Sequence, residues 1–188
     1  MGLSECQDFE RESREYWEKR LEDNWDKPFH GMFFDDPRLI AKMDNRNFEI
    51  LEQRIFDLYK QKGCGINVLE CGCGDGRYIE PLFKDNPLIK TYVAIDFAQR
   101  NIDAAIKIHG KQKGLYILRV DMETIVRKLS MDEQKVDLIF MVSTLSSIQR
   151  NFNEIMESLC TILISNSSIL VFEQEMFIEY FNNWKELP

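Results

Sequence analysis

Histidine is almost missing from this sequence. His30 and His109 are the only two, and neither has an acid or a cysteine at a telling spacing. That leaves no Ser-His-Asp nucleophile and no histidine-rich metal centre to argue for. Cysteine is sparse, with five residues, odd in number and scattered, which suits a reducing compartment better than a disulfide framework. Cys71 and Cys73 form a C-x-C, but a zinc site wants wider pairs and more ligands. Long apolar runs are absent too. The longest, Leu138–Val142, falls far short of the roughly 18 residues of a membrane span. The opening MGLSECQDFERESREYW is acidic rather than basic and then apolar, so it does not read as a secretory signal. Cys6 also stands where an N-myristoylation motif needs Ser or Thr. The expectation is a soluble cytoplasmic protein with no membrane partner, the nucleus left open.

What is present is a chain of 188 residues, 44% hydrophobic and 30% charged, enough for one compact domain. Its net charge of −8 argues against generic phosphate binding. The charge is uneven, however. From Phe97 to Arg119 there are five basic residues (Arg100, Lys107, Lys111, Lys113 and Arg119) and one acid, Asp103. A solvated helix face accounts for such a stretch without any ligand.

The pattern predicts an amphipathic helix over 5–22, a packed irregular loop over 23–37 and a second helix over 38–62. Gly63 and Gly65 stop that helix. An alternating series follows. Strands are predicted at 66–71, 91–96, 115–120, 136–141 and 168–173, and helices at 77–85, 98–109, 122–130, 151–164 and 175–184. Such alternation gives right-handed βαβ units, hence an α/β, Rossmann-like parallel sheet of about five strands with helices on both faces. The boundaries are a helical extension with a covering loop at 1–62 and a core at 63–188, together one domain.

All nine glycines lie at or before Gly114, and Gly72, Gly74 and Gly76 stand together in CGCGDG. They follow the first strand and precede its helix, where the chain turns sharply and lets a ligand approach the backbone. The spacing is G-x-G-x-G. Arg77 takes the place of the last glycine of a dinucleotide fingerprint, and no Gly-Lys-Ser/Thr follows for a Walker loop. Glu70, just before the turn, repels a pyrophosphate but suits a cation such as the ammonium and sulfonium of S-adenosylmethionine. Asp96 closes the second strand, where a carboxylate can accept both hydroxyls of a ribose. Asp121 and Met122 close the third, able to accept from an adenine amino group and to pack on its ring. A tight structural turn flanked by surface acids is the competing explanation.

This constellation is similar to the class I S-adenosylmethionine-dependent methyltransferases. The stretches PLFKDNPLIKTYVAIDFAQRNI (81–102), VDLIFMVSTLSSI (136–148), NWDKPF and MFFDD further resemble the eukaryotic tRNA N3-methylcytidine methyltransferases. The resemblance runs from about 15 to 180. It implies that Trp25 and Phe29 fold over the cofactor, although the residues by themselves favour core packing of a loop. It also implies Gly72 against the methionine part, Asp96 on the ribose, Asp121 and Met122 on the adenine, and Val142 lining the pocket. tRNA is the implied partner. Methylation at a ring nitrogen needs no strong base, so the chemistry is positioning plus a carboxylate for the cationic product. Glu173, at the carboxyl end of the fifth strand, is the expected group, ahead of Asp137 at the start of the fourth.

The chain departs from that family at several points. Asp35-Asp36-Pro37-Arg38-Leu39 replaces a basic run, Gln149 replaces a histidine, and Ser165-Asn166-Ser167 replaces a Pro-Gly turn. The residues after 173 leave room for one helix where the class adds two strands: either the enzyme is divergent and shortened, or a protein partner covers the sheet edge or aids tRNA binding, or the sequence is truncated. A methyltransferase of the same fold acting on a protein or small molecule, and a non-catalytic scaffold subunit, remain as alternatives.

Overall fold

The computed structural model describes residues 37–144 and 152–172. The helices expected over 5–22 and 175–184, nearly all of the loop between 23 and 37, and Trp25, Phe29 and Glu173 lie outside the described residues. In chain order the elements are α1 (Pro37–Lys62), β1 (Ile66–Cys71), α2 (Ile79–Phe83), β2 (Ile89–Asp96), α3 (Gln99–His109), β3 (Leu115–Arg119), α4 (Met122–Met131), β4 (Val136–Val142), α5 (Phe152–Thr161) and β5 (Leu163–Phe172). None of the described helices is long and apolar enough to cross a membrane.

The strands form one parallel sheet in the order β3-β2-β1-β4-β5. Parallel strands covered on both faces must be apolar on both, and β4 is buried along nearly its whole length. One core cluster gathers α1, α2 and α3 side chains, among them Leu51, Ile55, Leu58, Ile79 and Ile102, over Val68, Tyr92 and Phe140. The other joins Ile125 and Val126 of α4 and Leu159 of α5 to Leu69, Ile139 and Met141. Leu51, Ile55 and Leu58 fall at helical spacing, and burying each contributes roughly 1.5–3 kcal/mol. The chain builds outward from β1 in one direction and, after β3, crosses over to build in the other. The reversal lies between β1 and β4.

Three elements differ clearly in extent from their sequence pattern, among them the helix expected over 151–164, which ends at Thr161 and gives up 163–164 to the fifth strand. The helix expected over 77–85 is only Ile79–Phe83. Asn86 intercepts it, donating to the Leu82 carbonyl at 2.8 Å and accepting from Leu88 N at 3.0 Å, while Pro87 disfavours helical backbone before it. The fifth strand begins at Leu163 rather than 168. Its register jumps from Val136↔Leu163 to Leu138↔Ser168, so the polar 165–167 segment is a bulge within the strand, not a turn before it. Ser167 Oγ donates to carbonyls on both sides of that bulge, Val136 and Ile164.

Asp137 is an acid inside the apolar strand β4, only 2% exposed. Its Oδ2 accepts from Lys62 Nζ at 2.6 Å and from the Asn67 backbone at 2.7 Å. The carboxylate therefore pins the end of α1 and the start of β1 at the amino end of the sheet, away from the carboxyl ends where ligands bind in such folds. Asp137→Ala leaves both donors without that acceptor and is expected to lower unfolding free energy by roughly 2–4 kcal/mol in a denaturant titration. A loss below ~0.5 kcal/mol contradicts the assignment.

Candidate active site

β1 ends in the glycine turn, and the three glycines adopt φ of 74°, 56° and 85° at Gly72, Gly74 and Gly76. A side chain at any of them is strained. At Gly72 it also has no room, since a Cβ would fall 2.5 Å from Thr144 Oγ1. At Gly76 it would strike Ile79 and the His109 ring. At Gly74 a Cβ would meet none of the described residues within 4 Å, so among these residues that side of the turn is open.

The turn hangs on the end of β2. Gly72 N and Cys73 N both donate to the Ile95 carbonyl, at 2.8 and 2.9 Å. Gly74 N donates to Asp96 Oδ2 at 3.0 Å, and Ala98 N donates to Asp96 Oδ1 at 2.8 Å. One buried carboxylate thus ties the glycine turn to the start of α3. Burial raises the Asp96 pKa, and the backbone N–H bonds partly oppose that rise. Phe97 N and the Asn101 side chain also donate to this carboxylate, so its roughly four acceptor positions are all engaged and a ribose hydroxyl has to share or displace one of these donors.

Asp121 sits on the neighbouring strand end. Asp96 pairs with Arg119, and Val120 N donates to the Asp96 carbonyl at 3.0 Å. The Asp121 side chain caps α4, accepting from Thr124 N at 2.7 Å. Met122, half-buried, packs on the second core cluster. Val142, at the end of β4, is half-buried against the first. The structure therefore collects Gly72, Gly74, Asp96, Asp121, Met122 and Val142 at the carboxyl ends of four adjacent strands.

Glu70 has a different setting from the open acid its position in the sequence suggests. It is 2% exposed and lies on the sheet face that carries Tyr92 and Phe140. Tyr92 donates its hydroxyl to Glu70 Oε2 at 2.7 Å. Burial raises the Glu70 pKa to about 8, outweighing the opposing effects of the Tyr92 bond and Arg77. Near neutrality this position therefore holds mainly a protonated carboxyl. Cys71 and Cys73 are buried as well, and burial pushes both thiols up, so they are neutral packing groups.

Three features escape the sequence pattern. Thr144 donates to the Cys71 and Val142 carbonyls and fills the space against Gly72, joining the ends of β1 and β4. Ser143 beside it has φ of 54°, and its buried hydroxyl finds no partner among the described residues. Strain and an orphan hydroxyl together mark a functional position. The only sequence signal is a Ser-Thr pair closing an apolar strand. The third feature is the anchoring of the turn by α1. Asp44 accepts from Tyr78 at 2.8 Å and lies 3.4 Å from Arg77, while Asn47 donates to Tyr78 at 3.1 Å.

The Glu70 pKa is raised on folding, so the native state holds an extra proton between pH about 4.5 and about 8. Stability from this group is fully present below that window and is lost as pH rises through it, with a limiting slope near 1.4 kcal/mol per pH unit. Glu70→Gln is expected to remove this decline from unfolding free energies measured between pH 5 and 9. Parallel curves for the two proteins contradict it.

A methyltransferase domain family model matches residues 69–166, just over half of the chain, from the end of β1 into β5. A ubiquinone biosynthesis O-methyltransferase of Bartonella bacilliformis is 31% identical over 137 residues, 72% of this chain and 49% of that protein. The chain thus spans about half the length of that curated relative. Among solved structures, the plantazolicin methyltransferase BpumL in complex with SAH is 21% identical, with a TM-score of 0.54, over 93% of this chain and 66% of that one. Magnesium protoporphyrin IX methyltransferase from Synechocystis PCC 6803 with bound SAM is 12% identical, with a TM-score of 0.56, over 92% and 83%. N-methyltransferase NodS from Bradyrhizobium japonicum WM9 in complex with S-adenosyl-L-homocysteine is 17% identical, with a TM-score of 0.57, over 81% and 70%. These likenesses show the fold, and the family match goes further: the chain belongs to the methyltransferase domain family.

Proposed function

We propose that the protein is an S-adenosylmethionine-dependent methyltransferase whose acceptor is a tRNA cytidine, modified at N3. The observation that carries the cofactor part is the glycine turn held open by Asp96. Gly74 presents space that no described residue fills, and the carboxylate beside it closes the second strand, where folds of this kind place a ribose. Asp121 and Met122 stand on the next strand end, as an adenine edge requires. Glu70, beneath the turn, favours a bound ammonium once it gives up its proton. Trp25 and Phe29 are proposed as the covering side chains.

The sulfonium of the bound cofactor supplies the methyl group and leaves as a neutral thioether. The acceptor nitrogen provides its own lone pair for the new N–C bond, so the chain's task is alignment and exclusion of water. The methylated ring carries a positive charge and then loses a proton to solvent. Glu173, which follows directly on the last residue of β5, is proposed to stabilise that charge.

The acceptor assignment is supported by the resemblance of 24–36, 81–102 and 136–148 to tRNA N3-methylcytidine methyltransferases. A small-molecule or peptide acceptor is the second reading, favoured by the names of the similar proteins, which act in ubiquinone biosynthesis and on plantazolicin and protoporphyrin. Transfer from labelled cofactor to bulk tRNA, followed by nucleoside analysis, separates the two. N3-methylcytidine is expected with the wild-type chain and at least ~10-fold less with Glu173→Gln. Label that reaches small thiols, phenols or peptides but no nucleoside contradicts the tRNA reading.

A further inference from the structure

A chain of net charge −8 carries a cationic corner at the amino end of β2 and β3. Lys107 lies in the last turn of α3, and Lys111 and Lys113 in the short connection to β3. Gln112 Nε2 donates to the His109 carbonyl at 2.9 Å and folds that connection back on the helix end. Gly114 follows. It receives Tyr92 N on its carbonyl at 2.8 Å, and a Cβ there would fall 2.7 Å from the Lys90 carbonyl. Lys113 is thereby brought beside Lys90, the second residue of β2.

All four lysines are exposed, and among the described residues no carboxylate forms an ion pair with any of them. The nearby acids are otherwise engaged or set aside. Glu80 pairs with Lys84, Asp103 accepts from Gln99, and Asp85 follows Lys84 on the neighbouring connection. Ile108, 61% exposed, lies within the corner. A cluster of cations with no carboxylate partner among the described residues suits a polyanion such as the phosphate backbone of a polynucleotide.

Span decides the size of the partner. Lys90 and Asp96 sit at opposite ends of β2, about 20 Å apart at ~3.3 Å per residue. A small acceptor in the methyl-transfer site cannot reach the lysines, whereas a folded RNA can occupy both. Resting on the tRNA reading above, we propose that Lys90, Lys107, Lys111 and Lys113 form the surface that holds the phosphate backbone of the RNA acceptor.

The test uses the full chain with Lys107, Lys111 and Lys113 all changed to Glu, and a second variant with the same three changed to Arg. Binding of bulk tRNA is measured between 50 and 200 mM salt, alongside cofactor affinity and tRNA methylation. The Glu variant is expected to lose at least ~10-fold in tRNA affinity and to flatten the salt slope by roughly 2–3, at about 0.7–0.9 per phosphate contact. Its cofactor affinity and its rate at saturating tRNA should stay unchanged, and the Arg variant should behave as wild type. Wild type that methylates tRNA while the Glu variant keeps the same slope and affinity overturns this surface and leaves the tRNA reading standing. Wild type that neither binds nor methylates tRNA overturns both. Polyglutamate competing as well as tRNA assigns the corner to an acidic protein and overturns the RNA proposal.

Discussion

The structure turns on one carboxylate. Asp96 ends β2, and its two oxygens receive the backbone N–H groups of Gly74 and Ala98. The first bond fixes the glycine turn after β1, and the second fixes the entry into α3. Both donors would otherwise lack a partner, that of Ala98 in a buried position, and the turn itself is held in a left-handed conformation. Without that acceptor Gly74 N loses its partner, and the turn is left to the bonds from Gly72 and Cys73 to the Ile95 carbonyl. The same atoms are those a ribose would seek, so the group that organises the cradle is also the one proposed to bind its ligand.

The rest of the fold supports this point from below and behind. The switch between β1 and β4 leaves a crevice at the carboxyl ends of the strands, as the topology demands. Thr144 closes one wall against Gly72, where only glycine fits. α1 braces the far side of the turn through Asp44 and Asn47 on Tyr78, and is itself fixed at its other end by Lys62 on Asp137. Burial of Glu70 then makes the floor responsive to charge, because a buried carboxyl ionises readily only when a cation arrives to offset it.

Much of this was legible in the sequence, and for physical reasons. Parallel strands buried on both faces leave continuous apolar runs, so β1 and β4 stand out in INVLEC and VDLIFM. A Gly-rich turn between such a run and a helix marks the ligand side, and Asp96 and Asp121 end the next two strands. Other features depend on partners distant in the chain. Gly72 requires glycine partly because of Thr144, which lies 72 positions on and joins it only through the β1–β4 pairing. β5 begins inside Leu163-Ile164 because a bulge absorbs three polar residues that read locally as a turn. Glu70 reads as an available acid, yet the Tyr92 hydroxyl and the core around it make it a buried, largely protonated one. The lysine corner was visible as composition, but only the β2–β3 register brings Lys90 beside Lys113.

The central claim, that Asp96 organises and completes a cofactor cradle, is tested most directly by calorimetric titration of S-adenosylmethionine into the wild-type chain and into Asp96→Asn. The amide keeps the size of the side chain but replaces one acceptor oxygen with a donor facing a backbone N–H. The account predicts saturable one-to-one binding by the wild type and a loss of about 10- to 100-fold in the variant, the scale of one to two charge-assisted hydrogen bonds. Equal affinity in the two proteins, or no binding by the wild type at millimolar ligand, contradicts it.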